Sequence, residues 1–456
     1  MTRLPLLGAC ACTLSAAAAA QPDLLLFDSD RGGNYELYTM ALDGSGAARL
    51  THDATYDSWW GRPSPDGSRI LFYRTPQGVS DTDYGQTSLW RIASDGTGLV
   101  QLRAVGADGW TIQGHAEWSP DGQSIATIGT AGGVLQIFVV GADGLHPRQV
   151  TTGAANVIDC SWSPDGASLL VVSMPAAGGA RNTQEVYRVP AAGGAPVRLS
   201  TDLIEDYDPY YSPDGSRIAW LSQTDPDIHG PGLGAWNIRI MDADGGHVGR
   251  ITSDLDINSK PAWSRDGATI YFHRLVYGPG ATWGVYRTQA GGGGPITLVD
   301  AGATGNNTYP AFLHHAPVVT LTAPASGTVS GLVAVSADAA SAAAIASVRF
   351  QVDGVDIATD TTAPYACSWD SVAAGPGIHS VRAVATDAVG GTGVSPEVAL
   401  TVAGPAGGSS GGGGSGSGGN AGGGGCGLGG ASAMLALFAV LSGLRQRHQS
   451  THRSHI

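Results

Sequence analysis

The stretch HAEWSPDGQSIATI, His115 to Ile128, sets an imidazole, two carboxylates and a hydroxyl within a few residues of Trp118. Such groups could transfer protons, activate a nucleophile or hold a cation. Comparison along the chain separates the side chains that recur from those that vary. Ser119, Pro120, Asp121 and Gly122 come back in related form at GRPSPDGSRILFY (61–73), CSWSPDGASLLVV (160–172), PYYSPDGSRIAWL (209–221) and PAWSRDGATIYFH (261–273). Recurrence at this frequency marks a turn. Pro fixes φ, Asp accepts from nearby amides and Gly takes positive φ, so Ser119 and Asp121 read as scaffold.

The variable position lies five residues before the turn proline. There the chain carries Trp60, His115, Asp159, Asp208, Lys260 and Tyr309. Two carboxylates, an amine, an imidazole and two aromatics form a mixed polar set, placed by this alignment at the mouth of a central channel and able to bind a peptide, a glycan or an ion. Water filling such a channel would account for the same polarity. No catalytic residue is assigned, and neither a resident metal nor a cofactor is expected. The 12 His are dispersed apart from His314 and His315, no His-Glu-x-x-His motif occurs, and the DADG turns lack the closing Glu of an EF-hand loop. Asp225 and Asp227, in the long insertion SQTDPDIHGPGLGAWN, read as a solvated loop.

The elements that must position this set are strands. Each turn is followed by an alternating apolar strand, then by a second strand-like run and a polar turn: SLWRIASDGTG, LQIFVVGADGL, EVYRVPAAGGA, NIRIMDADGGH, GVYRTQAGGGG. The repeat length of roughly 45 to 55 residues is that of one four-stranded propeller blade. The repeat region opens with three strands that lack a preceding turn strand (24–51) and closes with NNTYPAFLHH (306–315), which matches only the missing one. Joining last to first closes a circle of six and protects the sheet edges.

WSPDG before a strand, followed by IRIMDADGG and RIT, resembles the six-bladed propeller repeat of the TolB family, also found in prolyl oligopeptidase-type enzymes. Pro63 stands where the other copies have an aromatic, and Arg265 replaces a turn proline. The resemblance implies a fold and carries little about activity. The α/β domain that precedes the propeller in TolB is not matched here. Nor does an α/β-hydrolase domain follow, and the GxSxG match at 407–411 falls in a Gly/Ser run.

Residues 317–402 change to short alternating strands, the pattern of a seven-strand sandwich. VRFQVDG, APYACSWD, GIHSVRAVATDAVG and VALTV resemble bacterial immunoglobulin-like modules, and Trp369 reads as core. Residues 404–425 are a Gly/Ser linker with no capacity for a core. Leu428–Leu444 is an uncharged run at the short limit for a membrane span, followed by Arg445 and Arg447. Gly-rich segment, Cys426, hydrophobic run and basic end together resemble the tripartite C-terminal sorting signals of Gram-negative bacteria, by which Cys426 would be the processing or lipid-bearing residue. A permanent membrane anchor is the other reading of the same segment.

The N-terminus reads as a signal peptide cut after Ala20. Leu7-Gly8-Ala9-Cys10 is close to a lipobox, with few apolar residues before it. Of the five Cys, two would leave with the signal and the other three lie in separate regions, and no pair has the spacing of a zinc or redox motif. Net charge is -14, with 69 Gly and 14% charged residues in 456, which argues against nucleic acid and for a loop-rich all-β body. The expected organisation is therefore all-β: signal peptide (1–20), six-bladed β-propeller (21–315), immunoglobulin-like β-sandwich (316–403), linker (404–425), and sorting signal with a C-terminal hydrophobic helix (426–456). The expected role is non-catalytic binding of protein or glycan by an exported monomer, tethered at the periplasmic face or cell surface of a Gram-negative cell. A polysaccharide lyase or hydrolase, and a structural part of an envelope assembly, are the alternatives.

Overall fold

The computed structural model describes residues 22–80, 83–174, 184–201, 204–225, 234–300, 304–388 and 390–403. The segments read as signal peptide and linker, together with Cys426 and the 428–444 segment, lie outside the described residues. Among the described residues no helix is long and apolar enough to cross a membrane. The chain divides into two compact units between His315 and Ala316.

The first unit is built from four-stranded antiparallel sheets in strand order one-two-three-four. The sheets of the fifth and sixth repeats are joined by one parallel bridge, Trp236 to Ile257. The inner strands Tyr56–Pro63, Gly114–Trp118, Asn156–Trp162, Asp206–Tyr211, Ile257–Trp263 and Asn307–Leu313 touch one another in sequence, and the last returns to the first. Closure is by the expected route. Leu24–Ser29 pairs with Asn307–Leu313, from Leu24 opposite Leu313 to Ser29 opposite Asn307. Asp30 accepts from the backbone and side-chain amides of Asn306, and Arg31 donates to Asn307 at 2.6 Å. Apolar layers between neighbouring sheets make the core. Ala126, Ile128 and Ile137 of one sheet, for example, pack with Ile158, Leu169 and Val171 of the next.

Each Ser-Pro-Asp-Gly turn is tied in the same way. Ser119 Oγ donates to Asp121 Oδ1 at 2.5 Å, Gln123 N–H donates to the same oxygen, and Ser119 Oγ accepts from Ser124 N–H. These bonds hold Asp121 below the usual carboxylate range, Ser119 first, and the equivalent Asp214 is pulled down to about 2. Two of the turn tryptophans stitch their sheet to the one before. Trp162 Nε1 donates to Glu117 O and Trp263 Nε1 to Tyr210 O, both at 3.2 Å.

The second unit is a sandwich of a three-stranded and a six-stranded sheet. Among the described residues it has nine strands where the sequence pattern predicts seven, because Gly327–Val329 and Thr392–Val394 add short edge pairings. Val335, Val348, Phe350, Val381 and Leu400 form its core with Trp369, which is buried as expected.

Candidate functional site

All six residues of the variable set occupy one structural position. Their φ angles lie between 51° and 59°, in the left-handed region, at Trp60, His115, Asp159, Asp208, Lys260 and Tyr309. At each of them the pairing of the inner strand with its neighbour slips, between Gly114 and Glu117 or between Tyr207 and Tyr210, for instance. A β-bulge with a left-handed residue re-aims a side chain that regular pleating would send elsewhere. Left-handed backbone costs a non-glycine residue about 1–2 kcal/mol, so six repeats of it mark a feature built into the blade.

The bulges bring the six side chains together, but not as an open mouth. Trp60, His115, Asp159, Asp208 and Lys260 are all buried, Lys260 at 1% exposure, and Tyr309 is partly buried. His115 Nδ1 lies 2.7 Å from Asp159 Oδ1. Asp159 Oδ2 accepts from Asp208 N–H at 2.9 Å. Lys260 Nζ donates to Asp208 Oδ1 at 2.7 Å and sits 3.0 Å from the centre of the Trp60 ring. Trp60 packs edge-on against His115, and its ring centre is 5.0 Å from that of Tyr309. Lys260 is the only lysine in the chain. An ammonium held by a carboxylate and an aromatic face is compensated for its burial in a way that an isolated one is not.

The electrostatics follow from this packing. Burial alone would raise the Asp159 carboxyl, but His115, then Lys260, and the Asp208 N–H outweigh it and hold Asp159 below its ordinary value. Burial lowers Lys260, and the attraction of Asp208 offsets that only in part. Cys160, whose thiol donates to His115 O at 2.9 Å, is pushed well up by burial.

Three further contributors escaped the sequence alignment. Arg62, Glu117 and Tyr210 stand two residues beyond Trp60, His115 and Asp208, and form a second tier. Arg62 Nε donates to Glu117 Oε1 at 2.7 Å, Tyr210 donates to the same oxygen at 2.9 Å, and Arg62 stacks 4.6 Å from the Trp60 ring centre. A constant offset of two from the first set was a signal available in the sequence. Tyr84 was not legible: it comes from the loop before Ser88–Ala93 and places its hydroxyl 2.9 Å from His115 Nε2. Asp28 accepts from Trp60 N–H, and His273 Nδ1 accepts from Tyr309 N–H. Of the other singled-out residues, His314 bonds Asp23 across the closure, Asp225 ends the strand Arg217–Asp225, and Asp227 lies outside the described residues.

A family model described as the TolB beta propeller domain matches residues 101–230, and one described as a bacterial Ig domain matches 317–383. An uncharacterized protein of Agrobacterium fabrum is 30% identical over 170 residues, 37% of this chain and 53% of the relative. A TolB homolog of Chlorobium luteolum is 30% identical over 154 residues, 33% of this chain and 31% of the relative. The chain thus spans about half the length of the first relative and about a third of the second. The crystal structure of TolB from Acinetobacter baumannii aligns with a TM-score of 0.50 at 18% identity, over 66% of this chain and 69% of that one, which is a likeness of fold. The chain therefore carries a TolB-like β-propeller domain followed by a bacterial immunoglobulin-like domain.

Proposed function

We propose that the chain is an exported, envelope-associated protein whose propeller binds a protein or glycan partner without transforming it. The observation that carries this reading is the burial of five of the six variable residues, with Tyr309 partly buried, in mutual contacts, which leaves the surrounding loops, rather than the ring, to meet a macromolecule. The similarity to a TolB homolog supports an envelope setting. The C-terminal segment fits the same reading, with cleavage near Cys426 releasing or lipidating a head carried on the 404–425 linker.

An array of envelope-derived peptides and glycans probed with the piece Gln21–Val402 tests it. Selective binding that survives Ala substitution at His115, Asp159 and Asp208 is the expected result. Turnover of a polysaccharide that those substitutions abolish would replace it with the lyase reading. Intact-mass analysis of the mature chain tests the processing step, since loss of the residues after Cys426 is expected and a complete C-terminus would leave a permanent anchor.

A further inference from the structure

His115, Asp159 and Asp208 each offer one donor atom within 4.8 Å of the other two, and all three side chains are buried. We propose that they form a site for one divalent transition-metal ion, of the Mn2+ or Zn2+ class, at the centre of the propeller. The donor set selects the class: an imidazole with two carboxylates suits Zn2+ and Mn2+, whereas Ca2+ and Mg2+ prefer oxygen alone.

Two independent features point to a ligand there. The first is charge. Asp159, Asp208 and Glu117 contribute three buried or nearly buried carboxylates to the two tiers, each facing one basic partner, His115, Lys260 and Arg62 respectively. Asp28, fully buried behind Trp60, adds a further acidic group. A low-dielectric centre with more carboxylates than cations favours an additional positive charge. The second is the Trp60 indole N–H, which is buried without a hydrogen-bond partner beside His115 and could donate to a water or anion completing the ion's coordination.

The surroundings already hold the donors as metal ligands are usually held. A ligating imidazole normally bonds an oxygen through its other nitrogen, and Tyr84 Oη stands 2.9 Å from His115 Nε2. Asp208 N–H fixes the Asp159 carboxylate through Oδ2. Ligation by Nδ1 requires only that the proton shared between His115 and Asp159 leave to solvent, the ion taking its place. Lys260 then acts as a built-in competitor: its ammonium occupies Asp208 Oδ1 and repels a second cation.

The test is titration of the chelator-treated full chain with Mn2+ alone, read by electron paramagnetic resonance, with nitrogen coupling in the pulsed spectrum as the signature of His115. One bound Mn2+ per chain with nitrogen coupling is expected. Asp159→Asn should weaken binding by about tenfold or more, and Tyr84→Phe should weaken it less, as loss of a supporting bond does. Lys260→Met should tighten binding about tenfold, because a like charge in contact with a ligand is removed. Thermal melts of each variant establish that it is folded, and an Mn2+-dependent rise in the melting temperature of Lys260→Met gives a second readout. Absence of stoichiometric binding in the wild type and in Lys260→Met, or binding that Asp159→Asn leaves unchanged, would overturn the proposal.

Discussion

Lys260 and Asp208 show how a residue of the ring is held. Removing one partner of a buried pair leaves an uncompensated charge and typically costs about 3–5 kcal/mol, whereas removing both is far milder. Lys260→Met is therefore expected to lower unfolding stability by about that amount in urea titration, and Lys260→Met with Asp208→Asn to recover most of it. Asp206 makes a pH-dependent contribution from a different position. It is fully buried, accepts from Trp220 Nε1 at 2.9 Å and from Ser222 Oγ, and its carboxyl is pushed up to about 7 by burial, which the hydrogen bonds from Ser200, Ser222 and Trp220 only partly oppose. A folded value above the unfolded one means that the folded state binds the proton more tightly. The contribution is present in full below about pH 4 and is lost as pH rises through about 7. The shift corresponds to about 4 kcal/mol. Asp206→Asn should flatten that part of the stability profile between pH 4 and 7, and an unchanged profile would rule out Asp206 as its source.

At the scale of elements, the turn and the bulge divide the labour within each blade. The Pro-Asp-Gly glycine is required at Gly67 for two reasons: its φ is +66°, and a Cβ there would lie 1.7 Å from the carbonyl oxygen of His314, the residue just after the closing strand. Gly46 shares the positive φ, at +67°, but faces open space. Gly46→Ala is accordingly expected to cost about 1 kcal/mol for backbone alone. Gly67→Ala should cost distinctly more, because the backbone of the closure must move; equal losses in denaturant titration would contradict the role given to the closing strand. The variable position was legible as a fixed offset from the turn, and the left-handed residue occurs at that offset even at Lys260, where Arg265 replaces the proline, and at Tyr309, where the turn is missing; the bulge itself was not read from the sequence. What strand pattern does not encode is the direction and reach of the side chains after the bulge. That Lys260 extends to both Asp208 and Trp60, and that Tyr84 reaches His115 from a separate loop, depends on three-dimensional closure.

For the whole molecule, closing six sheets through Leu24–Ser29 and Asn307–Leu313 converges six residues of five types from separate blades on one centre. The repeat, the circular closure and the sandwich were readable because each rests on local turns and alternating strands. The six residues were expected to line a channel mouth; the set is polar as read, but five of the six are buried in contact with one another, which composition alone does not report. The central claim, that the ring is a closed network buried away from solvent, can be tested through the chain's single lysine. Amine-reactive labelling of the native chain, followed by peptide mapping, should leave Lys260 unmodified under conditions that label it fully after unfolding. Rapid modification of Lys260 in the folded protein would contradict the account and return the ring to the role of an open binding mouth.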